Sequence, residues 1–386
     1  MSNQRQASSA SQTPHISPAE LSYLYTSLAL PGTPIRPDGR SPTQFRPLTA
    51  ETDILPGTNG SARVGFADGT QAIVGVKAEV ERTVLGVTAE HEHEGADDED
   101  ERERNGERAG RSEGQGSWVQ MAIEIPGFRD DDALPVFLAE MMREPLVESV
   151  SSSEGGAGMV GGLKGRLVIN RRWHWRLYID VLLLSQPLSY PLPLLSLTTH
   201  LALLATKLPK LKSKGEEDPF FDDDWNAAEY LYPRTKFTKP THPSSLSVHK
   251  VRPPVTLLVI SIAENIIFDP NREEIAVADA VLAISITHDS DSGRLKLLSI
   301  RTIDPPSRLT QPGVPNSENV ATLGATEPAE EDAVVNPSTG EEVPGVWKPR
   351  RGGVKRATIA RMVKMVLERG GVGEEVLEGL EGVEVG

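Results

Sequence analysis

The sequence contains no cysteine, which excludes disulfide bonds and thiolate metal sites and suits a reducing compartment. It also lacks an uninterrupted apolar run of the ~20 residues that a membrane helix needs. The longest candidate, residues 177–208, is broken by Asp180 and three prolines. The N-terminus is polar and has no apolar core of a signal peptide. We therefore expect a soluble protein of the nucleus or the cytoplasm, with no membrane contact.

Basic residues are outnumbered, and the formal net charge is −15. Nucleic-acid-binding proteins normally cluster lysine and arginine to neutralise phosphates. Much of the imbalance is local, because residues 90–113 hold eleven acidic and four basic residues, a net of −7, which leaves −8 for the remainder. The overall acidity therefore says little about the folded part of the chain.

The 386 residues include 34 glycines and 30 prolines, and only 38% are hydrophobic. We predict a folded core of roughly 220–250 residues in two lobes, within the usual range of domain sizes. The predicted parts are a disordered tail 1–15, a two-lobed domain 16–303, a linker 304–346, a C-terminal helix 347–370 and a tail 371–386. Lobe one covers about 16–150 and lobe two about 160–303, with insertions at 90–116 and 210–250.

Local patterns predict several elements. Ser17-Pro18-Ala19-Glu20 is a capping box that starts a helix. Asp68-Gly69 is a hairpin signal between two alternating strands, since both positions tolerate positive φ. Longer patterns predict further helices and strands. The helices are 134–147, 192–208 and 354–369, and the strands include 118–125, 175–184, 255–262, 275–287 and 295–300.

Several short motifs occur in a fixed order along the chain. They are Arg36-x-Asp38-Gly39-Arg40, Gly60-Ser61-Ala62, Asp68-Gly69-Thr70, a strand that contains Trp175 and Asp180, and a turn at Asp269-Pro270. In order and spacing this set resembles the RNase PH-type subunits of the eukaryotic RNA exosome ring. Within that family it is most similar to the branch without catalytic carboxylates, the archaeal-type partner subunit. The resemblance covers about residues 36–303.

The resemblance implies an α/β (α+β) fold, an RNase PH-like two-lobed domain with mixed sheets packed by helices. It implies a non-catalytic structural subunit that pairs with other RNase PH-type ring subunits and with cap subunits. Together these would form a channel for single-stranded RNA in 3′-to-5′ processing and degradation, including rRNA maturation and mRNA turnover. It assigns structural roles to Arg36, Asp38, Gly39, Arg40, Gly60, Ser61, Trp175, Asp180 and Asp269.

Catalytic members of the family resemble this chain near Asp269 but continue with Glu-Glu-Asp. Here the sequence reads Glu273-Glu274-Ile275, and an isoleucine neither binds a metal nor transfers a proton. Asp279 is a candidate for a second carboxylate, although a single carboxylate on a strand is more often a surface residue. We also find no phosphate-binding G-G-x-R-x-[ST] motif. We therefore predict no catalytic residues, no metal and no cofactor. The alternatives are an active phosphate-dependent 3′-to-5′ exoribonuclease and a scaffold of an unrelated assembly.

Cations cluster in two places that are candidates for contact with RNA phosphates. The alternatives are a solvated loop for the first cluster and a nuclear-import-like or merely soluble helix start for the second. The candidates are Arg171, Arg172, Lys348, Arg350, Arg351, Lys355 and Arg356. On the predicted helix 134–147, Glu140 and Glu144 stand where related subunits often carry arginines, which argues against RNA contact there.

Two further features remain open. His91 and His93 are possible metal ligands, but composition favours a solvated loop. The aromatic and acidic residues after Lys210 suit either docking on a partner or packing against their own domain. His174, flanked by two tryptophans without a second ligand, is interpreted as structural.

Overall fold

A computed structural model of the chain describes residues 16–83, 114–147, 163–215, 217–232, 252–288, 294–303 and 353–384. The candidate cations Lys348, Arg350 and Arg351, the histidines His91 and His93, and the predicted linker 304–346 lie outside these residues. So do the tail 1–15, residues 90–113 of the first insertion, and residues 216 and 233–250 of the second.

Six helices occur in the described residues, in chain order. They are α1 (Pro18–Leu28), α2 (Ala133–Val147), α3 (Leu192–Ala205), α4 (Arg272–Ala276), α5 (Arg356–Leu367) and α6 (Val372–Glu381). The predicted capping box of α1 is confirmed, since Ser17 accepts from the Glu20 amide and the Glu20 carboxylate accepts from the Ser17 amide. None of the described helices is long and apolar enough to cross a bilayer.

Two sheets hold the main strands. The first has the order β1-β2-β3-β5-β4, in which β4 and β5 are parallel and the other pairs antiparallel. The second has the order β11-β10-β8-β9 and is wholly antiparallel. The strands of the first sheet are β1 (Leu48–Thr52), β2 (Gly60–Phe66), β3 (Gln71–Arg82), β4 (Val119–Glu124) and β5 (Trp173–Leu183). Those of the second are β8 (Val255–Ile262), β9 (Asn265–Phe268), β10 (Ala280–His288) and β11 (Leu295–Ile303), and a small ribbon joins β6 (Lys207–Leu208) to β7 (Glu229–Tyr230).

Helix α3 is the centre of the fold. All of its residues are buried, and it packs against β2 and β3 of the first sheet and β8 of the second. A helix that is apolar on every side is stable only where it is enclosed on every side. This accounts for a leucine-rich segment with almost no polar face. The expected mixed sheets packed by helices are confirmed.

Three expectations about boundaries differ from the structure. The division near residues 150–160 does not separate the two sheets, because β5 lies between β3 and β4 in the first sheet. The segment at Ile275 is not a strand. Its Asn271 side chain caps the short helix α4, and the strand begins only at Ala280. Residues 371–386 are not simply a tail, since they contain α6, whose Leu377 and Leu380 are buried.

Candidate functional site

A buried group of arginines and carboxylates joins residues 36–46 to the turn between β9 and α4. Its centre is the pair Arg36–Glu274, whose side chains are both fully buried. The Arg36 Nε and Nη2 donate to the two Glu274 oxygens at 2.7 and 2.9 Å, a bidentate arrangement. Arg36 also donates to the carbonyl oxygens of Phe268 and Asp269. We call the group formed by Arg36, Arg40, Arg46, Asp269 and Glu274 the arginine clasp.

Asp269 is the second buried carboxylate of the clasp. The Arg46 side chain donates to its Oδ1 at 2.7 Å and the Arg40 side chain to its Oδ2 at 2.8 Å. The Arg46 amide donates to Oδ2 at 2.9 Å. Asp269 has a φ of 44°, in the left-handed region that non-glycine residues rarely adopt. Both oxygens are occupied by donors, so a metal ion would bind this carboxylate only by displacing an arginine.

The neighbouring positions offer no catalytic carboxylate either. Ile275 is 5% exposed and belongs to the apolar core. The Asp279 carboxylate accepts from the Ala263 amide at 2.7 Å, where Ala263 has a φ of 51°, so it supports the turn between β8 and β9. Among the described residues, no three histidine, aspartate or glutamate side chains converge as a metal site.

The remaining motif residues lie in structural positions. Asp38 accepts from the Arg40 Nε at 2.7 Å, and Gly39 has a φ of 76°, which suits a glycine in this turn. At Gly60 a Cβ atom would lie 2.5 Å from the Thr206 Cα, so the close approach of β2 to the end of α3 needs a glycine. The buried Ser61 hydroxyl accepts from the Leu55 amide.

Trp175 on β5 is 8% exposed, and its ring centroid lies 4.9 Å from that of Phe221. Asp180 is exposed on the same strand, opposite Gly75. The insertion after Lys210 therefore packs back on the domain through Phe221, whereas Phe220 and Trp225 remain 64% and 50% exposed. Packing of the insertion against its own domain is confirmed for Phe221, and docking on a partner stays a prediction.

His174 has a structural environment. Its ring stacks on that of Trp118 with centroids 4.0 Å apart, and its Nδ1 lies 3.0 Å from the Thr83 hydroxyl. Burial lowers the pKa of His174 below its usual value. A stacked imidazole in this setting stays neutral near pH 7 and packs against the residue that precedes β4.

The candidate RNA-binding cations that the structure describes lie at two exposed positions. Arg171 and Arg172 are in the turn before β5, and Arg172 lies 3.6 Å from the Asp218 carboxylate. Lys355 and Arg356 are at the first positions of α5, which has no acidic residue in its first turn. Cations at a helix N-terminus are unfavourable beside the positive end of the dipole. An anion bound there would remove this cost.

Helix α2 presents no free arginine. The Glu140 carboxylate accepts two hydrogen bonds of 2.8 Å from Arg143, and this contact lowers the pKa of Glu140. Glu144 is paired with Arg301 of β11. The single cation of this helix is thus held by its own neighbour.

Sequence reasoning missed Arg46 as a member of the clasp and passed over Glu274 as its centre. The partners Arg36 and Glu274 are 238 residues apart, so no local pattern links them. The Asn271-x-x-Glu274 capping box was the one local signal that the carboxylate belongs to a helix start rather than to a strand.

No family model matches the chain. It is 30% identical over 276 residues to the exosome complex component RRP42 of Saccharomyces cerevisiae, a match that covers 70% of this chain and 81% of that protein. It is 30% identical over 287 residues to the exosome complex component rrp42 of Schizosaccharomyces pombe, covering 69% and 77%.

Solved structures are more distant. A chain of the Archaeoglobus fulgidus exosome with RNA bound to the active site is 21% identical, with a TM-score of 0.45, over 74% of this chain and 87% of that one. Rice (Oryza sativa) Rrp46 is 12% identical, with a TM-score of 0.36, over 75% and 90%. Similarity at this level does not assign a role to the chain. The sequence relatives show the class, components of the exosome complex. More narrowly, the chain belongs to the RRP42 family of exosome complex components.

Proposed function

We propose that the chain is a non-catalytic structural subunit of the RNA exosome ring. It supports 3′-to-5′ RNA processing and degradation by forming part of the ring and of the channel that guides single-stranded RNA. Its partners are other RNase PH-type ring subunits and cap subunits. It acts in the nucleus, nucleolus included, and in the cytoplasm, where such RNA is processed and turned over.

The non-catalytic role is supported by one observation, that both carboxylate oxygens of Asp269 already accept hydrogen bonds from arginines. A phosphorolytic enzyme of this family needs carboxylates that hold a metal ion or donate a proton, together with donors for inorganic phosphate. Asp269 and Glu274 are both committed to arginines, and Ile275 is a core residue. Freeing Glu274 would deprive the fully buried Arg36 guanidinium of its bidentate partner, which is costly. Freeing Asp269 would leave Arg40 and Arg46 with only their partly exposed partners Asp38 and Asp68. The chemistry present at this position therefore supports folding rather than catalysis.

We expect the exposed cations, and not α2, to contact RNA. Lys355 and Arg356 at the start of α5 are candidates, as are Arg171 and Arg172. Lys348, Arg350 and Arg351 precede the same helix in the sequence and are proposed to act with it. Such contacts bind phosphates without reading base sequence, which suits a channel that accepts any single-stranded RNA.

Affinity purification of the tagged full chain from its own cells tests the assembly role. We expect the other ring subunits and the cap subunits to co-purify in near-equal amounts and to remain together on gel filtration. Arg36→Ala is expected to reduce this recovery because it weakens the fold, whereas Arg129→Ala, an exposed arginine, is the matched control. Recovery of a different, unrelated assembly, with no ring subunits, would contradict the proposal.

A further inference from the structure

Strand β4 forms an open edge of the first sheet. It pairs with β5 on one side, and within the described residues no strand pairs with its other side. An unpaired edge presents a row of backbone N–H and C=O groups that favours pairing with another chain. Natural proteins usually shield such edges with a bulge, a proline or a covering element. Strand β4, with the sequence VQMAIE, contains neither proline nor glycine.

A cavity of about 1010 Å³ runs along this edge. All six residues of Val119–Glu124 line it. Side chains alternate between the two faces of a strand, so a cavity over one face would be lined by every second residue only. Lining by consecutive residues means that the cavity opens on the backbone edge itself. The opposite wall is α2, which contributes Pro135, Val136 and Ala139.

The chemistry of the groove is apolar at the floor and acidic at the rim. Met121 and Ile123 are buried beneath it, and Val136 on α2 is 54% exposed. Glu124 and Asp130 line the groove, are exposed, and have no ion-pair partner among the described residues. The remaining carboxylates of the rim are already paired with arginines. The unpaired charge therefore favours a basic occupant.

We propose that the groove between β4 and α2 binds an extended, lysine- or arginine-bearing segment of a partner protein, which adds to the first sheet as a strand. Six residues of strand span about 20 Å, so a segment of about that length would match the edge. Its backbone would supply the hydrogen bonds, one face of its side chains would pack on Val136 and Ala139, and its cations would meet Glu124 and Asp130. The inference stands on the edge geometry and does not depend on the ring proposal.

The direct test uses the purified full chain and a fluorescent eight-residue peptide that alternates lysine and valine. We expect saturable binding by fluorescence anisotropy and slower amide hydrogen exchange in residues 119–124. The matched control peptide carries N-methyl groups at alternate residues, which keeps its charge and removes donors on one edge. N-methylation on the edge that faces β4 should weaken binding at least about tenfold, since each 1.4 kcal/mol is tenfold in affinity. Both alternate registers are tested.

Charge reversal at the rim gives the second test. The double variant Glu124→Lys with Asp130→Lys should weaken peptide binding about tenfold and flatten its salt dependence. The matched control, Glu217→Lys with Asp223→Lys, makes the same change at exposed positions outside the groove and should leave binding within about twofold.

Several outcomes would overturn the inference. Equal binding of the parent and both N-methylated peptides would mean that no strand is added, and no binding at all would mean that the edge is closed. If the peptide binds only after deletion of residues 84–113 or 148–162, the chain fills its own groove. If a single-stranded RNA oligonucleotide displaces the peptide and protects residues 119–124, the groove binds nucleic acid instead.

Discussion

Two groups of basic residues in this chain lie in opposite environments. In the clasp, Arg36, Arg40 and Arg46 are nearly or fully buried and every carboxylate oxygen they meet is used. At the turn before β5 and at the start of α5, Arg171, Lys355 and Arg356 are exposed to solvent. The first group holds two distant segments together, and the second remains accessible to a charged partner. Charge alone therefore does not distinguish the two groups, whereas burial does.

Disruption of the arginine clasp is expected to have the largest effect. Arg36→Ala leaves the Glu274 carboxylate buried without a counter-charge, and the Phe268 carbonyl oxygen loses its side-chain donor. We expect a loss of about 3–5 kcal/mol in the free energy of unfolding, measured by urea denaturation. The exposed control Arg171→Ala should change it by about 0.5 kcal/mol or less. Similar midpoints for the two variants would remove the distinction between the two groups.

A double variant tests whether Arg36 and Glu274 stabilise the fold as a pair. Replacing both partners, with Arg36→Met and Glu274→Leu, removes both buried charges at once. The loss of stability should be smaller than for Arg36→Ala, although the Phe268 carbonyl oxygen still loses its side-chain donor. A loss equal to the sum of two single substitutions would mean that the two side chains do not interact in the folded state.

The next largest effect concerns His200, a buried histidine that stays in its neutral form instead of being charged and paired with a carboxylate. It lies at the centre of α3, and burial lowers its pKa to about 4 from 6.5. The unfolded chain therefore takes up a proton below pH 6.5 that the folded chain refuses until about pH 4. Stability is unaffected above pH 6.5 and falls by up to about 3 kcal/mol between pH 6.5 and 4.

Urea denaturation at a series of pH values measures this dependence. The variant His200→Leu places an apolar side chain of similar size in the fully buried helix α3. It should remove the part of the pH dependence of the free energy of unfolding that belongs to His200. The rest of the slope, from carboxylates, should be unchanged. The same slope in parent and variant between pH 6.5 and 5 would contradict a neutral His200.

The smallest expected effect concerns the exposed cations. Lys355→Gln with Arg356→Gln should weaken single-stranded RNA binding by the assembled ring about tenfold. It should also reduce the slope of log K against log salt by about 1.4, if each cation meets one phosphate. The matched control, Lys364→Gln with Arg369→Gln, removes two exposed cations at or just beyond the other end of the same helix. Equal losses in the two variants would mean that the position of the charges does not matter.

Local structure was predictable wherever a local signal determines it. The capping box at Ser17 and the Asp68-Gly69 hairpin are each contained in a few residues, and the structure has both, although of the two hairpin positions only Gly69 has a positive φ. The helix 192–208 was predicted slightly too long, since Lys207 and Leu208 pair with the ribbon strand β7 instead. That exchange depends on a partner more than 20 residues away, which no helical period reveals.

Long-range features were not predictable in this way. The α6 segment is rich in glycine, and it is ordered by packing: its Gly373 approaches the Ile286 and Leu295 side chains of the second sheet. Strand β1 was missed because its pairing with β2 is set by tertiary register rather than by strong alternation. In the clasp, the sequence indicated Arg36, Arg40 and Asp269, but it indicated neither the part played by Arg46 and Glu274 nor the saturation of Asp269 by arginines.

The most direct test of the central claim is a search for phosphorolysis. The parent chain and Ile275→Asp are each purified alone and within a ring whose other active sites are all mutated. Each is then incubated with single-stranded RNA, inorganic phosphate and Mg²⁺ or Mn²⁺, and released nucleoside diphosphates are measured. We predict none in either case, because one added carboxylate supplies no donors for phosphate and Asp269 remains bound by arginines. Phosphate-dependent release of nucleoside diphosphates from the parent chain in that ring would contradict the account.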